Sequence, residues 1–251
     1  MSYVYLANGR VGLDVLRWLI ERGEPPAGIV VHPPERQRYG SDMVAVAGLP
    51  DEHVLEGSAL GTSEGLAWLK AHRPEWLVSV FFGYILKPEA LAVPANGAVN
   101  LHPASLPYNR GAFPNVWSIV DRTPAGVTLH FMETGVDMGD IIAQREVPVG
   151  PVDTGASLYA RLEEASLSLF QEAWPSILDK SFQRRPQPSG GSSHWVVDVD
   201  RIDRIDPDQH IRAGDLIDIL RARTFPPYKG AYLDLADRRV YLRLELTEEM
   251  K

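Results

Sequence analysis

The chain has 251 residues, 45% hydrophobic and 23% charged, which suits a globular protein with one large core and room for an appendage. A formal net charge of -8 argues against a surface built to bind nucleic acid, although a local basic pocket for a small anion stays compatible with it. The absence of cysteine excludes disulfides, thiolate nucleophiles and Cys-based zinc sites. The opening MSYVYLANGR lacks the basic start and apolar run of a signal peptide, and no apolar stretch reaches about eighteen residues. No membrane partner is therefore expected, and cytoplasm is the expected compartment.

Along the chain, apolar extended runs alternate with amphipathic helical ones, the pattern of an open, mainly parallel sheet with helices on its faces. YVYLA (3–7) reads as a strand. VGLDVLRWLIER then sets Val15, Leu16, Leu19 and Ile20 on one helical face, with Gly23 just past its end. AGIVVH (27–32) predicts a second strand, SEGLAWLKAHR a second helix and WLVSVFF (76–82) a third strand. GAVNLH (97–102), GVTLHFM and DIIAQREVPV supply three more strands. A long helix is expected after Asp153 and Thr154, with Leu158, Leu162, Ala165 and Leu169 spaced as a helix face, and Pro175 should kink or end it.

Residues 184–193 read RRPQPSGGSS, seven of ten being Pro, Gly or Ser, which marks a linker. The expected division is a domain over 1–183, the linker over 184–193 and a small subdomain over 194–251. The last part carries a short helix, AGDLIDILRA, and a hairpin formed by AYLDL and RVYLRLEL. It is too small for an independent core. The fold class is α/β: a Rossmann-like, mainly parallel sheet with flanking helices, plus a C-terminal helix and β-hairpin appendage.

Three stretches are candidates for chemistry. ANGRVG is a strand-to-helix turn whose backbone N–H groups can meet a phosphate. It does not match GxGxxG, and a tight turn needing Gly9 and Gly12 for sterics explains it equally well. Asn8 and Arg10 lie where the carboxyl end of a strand opens into a crevice. In AVNLHPASLPYNRG, Asn100 and His102 are two apart in a strand, on one face and roughly 7 Å apart along the chain, while Leu101 points the other way. Pro103 favours extended geometry at His102 and ends the strand. An amide and an imidazole on one face can together stabilise charge on a carbonyl oxygen. In GVDMGD, Asp137 and Asp140 flank a Gly-containing turn. Either acid can orient His102, and spacing does not choose between them; a solvated Asx turn is the structural alternative.

NLHPASLPYNRG followed by PNVWSIVDRTPAGVTLHFMETGVDMGDIIAQ resembles the core signature of the folate-dependent formyltransferases, over about residues 76–144. The resemblance implies Asn100, His102 and Asp137 as the catalytic trio and 10-formyltetrahydrofolate as formyl donor. It also implies that the pterin lies against FFGYIL, that is Phe81, Phe82, Gly83, Tyr84, Ile85 and Leu86, with Asp140 counted among the cofactor residues. An apolar loop with a glycine suits a flat heterocycle held by backbone groups. No metal is implied, and His32, His53, His72, His102, His130, His194 and His210 lack ligand spacing.

LPYNRGAFPNVWSI and RARTFPPYKGAYL resemble the sugar N-formyltransferase branch, which implies a nucleotide-linked amino dideoxysugar, dTDP- or GDP-linked, as acceptor. Methionyl-tRNA formyltransferases are also similar, but carry a longer C-terminal barrel and a basic surface. Such an acceptor calls for cations and aromatic faces. Arg10, Arg110, Arg223 and Lys229 are candidate phosphate partners, Trp195, Phe225 and Tyr228 candidate stacking surfaces, Tyr108 and Asn109 candidate sugar contacts, and Asn8 at the crevice a further candidate substrate contact. Each has a structural alternative, such as Arg110 pairing with a carboxylate. Members of the sugar branch are often dimers, so a homodimer stays open. A folate-binding module without transfer activity is the reading from another class; a nicotinamide oxidoreductase fits less well because GxGxxG is missing.

Overall fold

The structure is a computed structural model and describes residues 1–249. In chain order the elements are β1 (Tyr3–Ala7), α1 (Gly9–Glu21), β2 (Gly28–Val31), α2 (Gly40–Ala47), β3 (Val54–Glu56), α3 (Ser63–Ala71), β4 (Trp76–Val80), α4 (Pro88–Leu91) and β5 (Gly97–His102). There follow β6 (Arg110–Gly111), α5 (Pro114–Val120), β7 (Gly126–Phe131), β8 (Ile141–Glu146), α6 (Gly155–Leu178), β9 (Ser193–His194), α7 (Asp200–Asp203), α8 (Ala213–Ala222), β10 (Tyr232–Asp234) and β11 (Arg239–Tyr241).

The central sheet has the order β3-β2-β1-β4-β5-β7-β8. Pairing is parallel from β3 to β5, and β7 joins β5 antiparallel. Strands covered on both faces need apolar side chains in both directions, which is why β1, β2 and β4 are nearly unbroken apolar runs and buried throughout. This is the mainly parallel, Rossmann-like sheet with flanking helices expected from the alternation. The hairpin of β10 and β11 follows α8, as the C-terminal pattern predicts.

The chain divides into two compact units that interleave along the sequence. One comprises Met1–His102, Thr128–Gln144 and Glu163–Gln187; the other comprises Pro103–Val127, Arg145–Leu162 and the chain from Pro188 onward. In the first unit, Trp76, Trp174, Tyr3, Tyr5 and Phe170 are the largest wholly buried side chains. Trp174 packs on Tyr3 and Phe170, and its Nε1 donates to Glu24 Oε2 at 2.6 Å.

Some local expectations need correction. Pro175 does not end α6, which continues to Leu178, with Asp179 N donating to Pro175 O at 3.1 Å. Lying so near the carboxyl end, the proline removes one donor from a helix already anchored by its buried face. The 184–193 stretch is not a free linker. Within the first unit Arg185 exchanges backbone bonds with Ile141 at 2.7 and 2.9 Å; within the second, β9 lies parallel to β6, and Arg110 N donates to Ser192 O at 3.0 Å. Two helices, α2 and α5, are not legible as period. Residues of α5 are buried from Pro114 to Ile119, so it has no polar face to alternate with.

Candidate active site

Three polar side chains interrupt apolar strands at positions that the sheet sets side by side. Ser79 on β4 pairs in register with Asn100 on β5, which pairs with His130 on β7. All three are buried. Ser79 Oγ donates to Asn100 Oδ1 at 2.8 Å, which turns the amide nitrogen the other way, to 3.3 Å from His130 Nε2 and 3.4 Å from Asp137 Oδ1. His130 Nδ1 lies 2.8 Å from the Phe131 carbonyl oxygen, which can only accept, so Nδ1 carries a proton. In the neutral ring Nε2 is then the acceptor for Asn100.

His102 shares the face of Asn100, as strand parity predicts, and its Nε2 stands 3.5 Å from Asp137 Oδ2. His130 Nε2 stands 3.4 Å from the other carboxylate oxygen. The Asp137 carboxylate is thus met by one amide and two imidazole nitrogens. Where spacing left two acids open, the structure brings Asp137 to this cluster and turns Asp140 to Arg184 Nε at 3.0 Å. Asp137 has a left-handed backbone, φ 53°, which Asp tolerates better than most residues. A Cβ built on Gly139 would lie 2.0 Å from Phe131 O, so only glycine lets the loop fold back this tightly.

The loop Phe81–Leu86 follows β4. Phe81 is left-handed (φ 53°) and its N–H donates to Leu101 O at 3.4 Å; Gly83 N donates to His32 Nε2 at 3.3 Å. His32 packs edge-on against Phe82 and Tyr84, Leu86 is in the core, and Ile85 is 73% exposed. Burial, and then the Arg36 charge, hold the His32 ring below its ordinary value, in keeping with an acceptor at Nε2. Asn8 joins this group: its Oδ1 accepts from Arg38 N at 2.7 Å, and its Nδ2 lies 3.4 Å from His32 Nδ1. Arg10 is exposed on α1, 3.4 Å from Asp14. The steric account of ANGRVG has direct support, since a Cβ on Gly12 would lie 2.8 Å from Ala7 Cβ.

In the second unit, Asn109, expected beside the sugar, is wholly enclosed. Its Nδ2 donates to Ser118 Oγ and Thr123 Oγ1, both at 2.9 Å, and its N–H to Ser192 Oγ at 2.9 Å. A short polar side chain in a left-handed position (φ 57°) has been spent on tying loops together. Arg110 is buried, with Nη1 3.4 Å from Gly190 O. Arg223 is bound to Asp203 through both Nε and Nη2, the latter at 2.8 Å. Phe225 and Tyr228 come together edge-to-face at 5.6 Å, and Tyr228 and Tyr108 are exposed. Lys229 Nζ lies over the Tyr241 ring, and Trp195 is exposed.

Sequence reasoning missed Ser79, His130 and His32. Each had one signal: a polar residue inside or at the end of a mainly apolar strand. Among the described residues no group of three or more His, Asp or Glu is placed to hold a metal, and no helix is long and apolar enough to cross a membrane.

A family model described as formyl transferase matches residues 28–174, and one described as N-formyltransferase dimerization C-terminal domain matches residues 198–248. A methionyl-tRNA formyltransferase of Geobacter sulfurreducens is 31% identical over 193 residues, 74% of this chain and 61% of the relative. A dTDP-4-amino-4,6-dideoxyglucose formyltransferase of Mycobacterium bovis is 36% identical over 152 residues, 60% of this chain and 65% of the relative. The chain therefore spans less than two thirds of the length of either relative. The solved sugar N-formyltransferase from a Shewanella species has the same fold, with a TM-score of 0.86 at 22% identity, covering 100% of this chain and 99% of that one. The formyltransferase PseJ from Anoxybacillus kamchatkensis, solved with UDP-4,6-dideoxy-4-formamido-L-AltNAc and tetrahydrofolate, is 29% identical with a TM-score of 0.61, covering 80% of this chain and 89% of that one. With a family model matched over more than half its length, and with the fold of a sugar N-formyltransferase, this chain belongs to the formyl transferase family.

Proposed function

We propose that the chain is an N-formyltransferase that moves a formyl group from 10-formyltetrahydrofolate to the amino group of a nucleotide-linked amino dideoxysugar, dTDP- or GDP-linked. The observation that carries this reading is the convergence of the Asn100 amide nitrogen and the His102 ring on the Asp137 carboxylate, at 3.4 and 3.5 Å. This set can stabilise charge on a carbonyl oxygen and manage one proton, and acyl transfer to an amine asks for both.

The loop Phe81–Leu86 fits a folate. Ile85 presents an exposed apolar surface at its tip, while Phe82 and Tyr84 are braced by His32 beneath. When bound, the folate supplies an activated formyl unit. Asn100 Nδ2 is aimed by Ser79 to donate toward the carbonyl oxygen as charge grows on it. His102 donates to the same oxygen. Asp137 holds the His102 ring and takes the proton that the amine loses as the new carbon–nitrogen bond forms. That proton then goes to the donor nitrogen freed when its bond to the formyl carbon breaks. The solved neighbour bound to tetrahydrofolate and the relative named for a dTDP-linked amino sugar support this choice of donor and acceptor class.

On the same reading Tyr228 and Phe225 are candidate base-stacking surfaces, and the described C-terminal region acts in a homodimer, supported by the name of the family model it matches. Cytoplasm is the compartment this reading assigns. The likeness to a methionyl-tRNA formyltransferase favours a second reading with aminoacyl-tRNA as acceptor, against which the net charge of -8 weighs.

The test is a panel: purified protein, 10-formyltetrahydrofolate and, separately, dTDP-, GDP- and UDP-linked 3-amino and 4-amino dideoxysugars and methionyl-tRNA, following tetrahydrofolate release. Turnover with one amino sugar supports the reading and identifies the acceptor. Turnover with methionyl-tRNA alone replaces it by the second reading. Folate binding with silence throughout turns the chain into a binding module.

A further inference from the structure

Composition marks Arg184–Gln187 as the start of a linker, yet the segment closes onto the loop that carries Asp137. The Gln187 Nε2 amino group donates to the backbone oxygen of Asp137 at 2.7 Å and to that of Gly139 at 2.9 Å. Both partners are carbonyls, which can only accept, so both amide hydrogens are engaged and the orientation of the amide follows from its neighbours. Arg184 holds the ends of the same loop: Nη2 reaches Glu133 Oε1 at 2.8 Å, Nε reaches Asp140 Oδ2 at 3.0 Å, and the guanidinium lies 3.9 Å over the Phe131 ring. Arg185 adds the backbone bridge to Ile141. Within the loop, Phe131 N donates to Asp140 O at 2.8 Å.

A non-glycine residue in the left-handed region persists where its surroundings hold it, and Asp137 is such a residue at the middle of the gripped span. Its carboxylate stands 3.4 to 3.5 Å from Asn100 Nδ2 and His102 Nε2, at the long edge of hydrogen bonding. A further displacement of about 1 Å would break both contacts, and misplacement on that scale costs on the order of a hundredfold in rate.

We propose that Arg184–Gln187 is a positioning clamp for transfer: Gln187 sets the backbone of Asp137, and through it the distance from its carboxylate to His102 and Asn100, while Arg184 anchors the loop ends. On this proposal both act through the loop and not on substrate. The inference rests on the reading of Asn100, His102 and Asp137 as the transfer machinery.

The test uses the full chain with Gln187→Ala and Gln187→Glu, assayed with 10-formyltetrahydrofolate and the acceptor that the wild type turns over. The clamp predicts that kcat falls about ten- to a hundredfold in Gln187→Ala, while folate affinity, measured by fluorescence titration, and thermal midpoint stay near wild type. Gln187→Glu should be worse at neutral pH, since a carboxylate would face two carbonyl oxygens. Its rate relative to wild type should recover as pH is lowered toward the ordinary glutamate value of about 4.3, where a protonated carboxyl regains one donor. Unchanged kcat in both variants, losses of folate affinity or thermal midpoint that match the loss of kcat, or a flat ratio across pH would overturn the clamp.

A readout independent of turnover follows the His102 ring by NMR through a pH titration. Its midpoint should move in Gln187→Ala in the same direction as in Asp137→Asn, and an unmoved midpoint contradicts the clamp. If the wild type turns over none of the acceptors, the proposed function fails, and this ring titration alone decides the clamp.

Discussion

Ser79 Oγ donates to Asn100 Oδ1 at 2.8 Å, and that bond decides which end of the Asn100 amide faces Asp137. The two side chains are register partners on adjacent parallel strands and both are buried, so the orientation is built into the sheet itself. An amide free to flip would present oxygen instead of N–H to a carbonyl gaining negative charge.

Removing the donor should therefore be felt in the transition state. Ser79→Ala is expected to lower kcat about five- to tenfold, the worth of one net hydrogen bond near 1 kcal/mol, with KM for either substrate little changed. Steady-state kinetics checks this, and an unaltered kcat would show that the amide keeps its orientation without Ser79.

His130 backs the other end of the amide. His130→Phe keeps the ring volume but leaves Asn100 Nδ2 without its imidazole acceptor, which is expected to cost about 1–3 kcal/mol of stability, visible in thermal or denaturant unfolding. His130→Gln, which can still accept, should recover part of the loss. Equal stability of the two variants would mean that packing, not the acceptor, is what His130 provides.

For His102→Asn the proposed function predicts a fall in transfer of about a hundredfold or more, with folate affinity within about twofold of wild type, because on that reading the ring acts on charge that develops during reaction. Parallel losses of rate and affinity would instead assign His102 to ground-state binding.

The His32 ring is held below its ordinary value by burial and by Arg36. The unfolded chain takes up this proton at higher pH than the folded one, so the His32 contribution to stability is complete above about 6.5 and is lost as pH falls through that value toward the lower folded-state value. Protonation of the folded chain also sets an N–H of the ring against the Gly83 N–H, so folate affinity should weaken as pH falls through the lower folded-state value. Folate titrations at steps from about pH 7.5 down to the lowest pH at which the chain stays folded, with His32→Gln in parallel, test this. A wild-type affinity that falls no more than that of the variant would rule out His32 as the source.

The alternation of strands and helices, the polar ends of the strands and the shared face of Asn100 and His102 are legible in the amino-acid order alone. These are short-range properties: a period of two or 3.6 residues, a proline after His102, a glycine at a turn. Sequence reasoning misjudged Asn109 because a loop-like neighbourhood does not reveal a buried polar knot, and it passed over α5 because a helix buried on all sides has no period to read. Spacing leaves Asp137 and Asp140 open and the family resemblance points to Asp137; the folded chain brings that carboxylate to the cluster, sets Ser79, Asn100 and His130 abreast, and closes Gln187, fifty residues from Asp137, on its loop. Register between strands and the closure of distant segments follow from packing a whole core, which is a property of the assembled chain and of no local stretch of it.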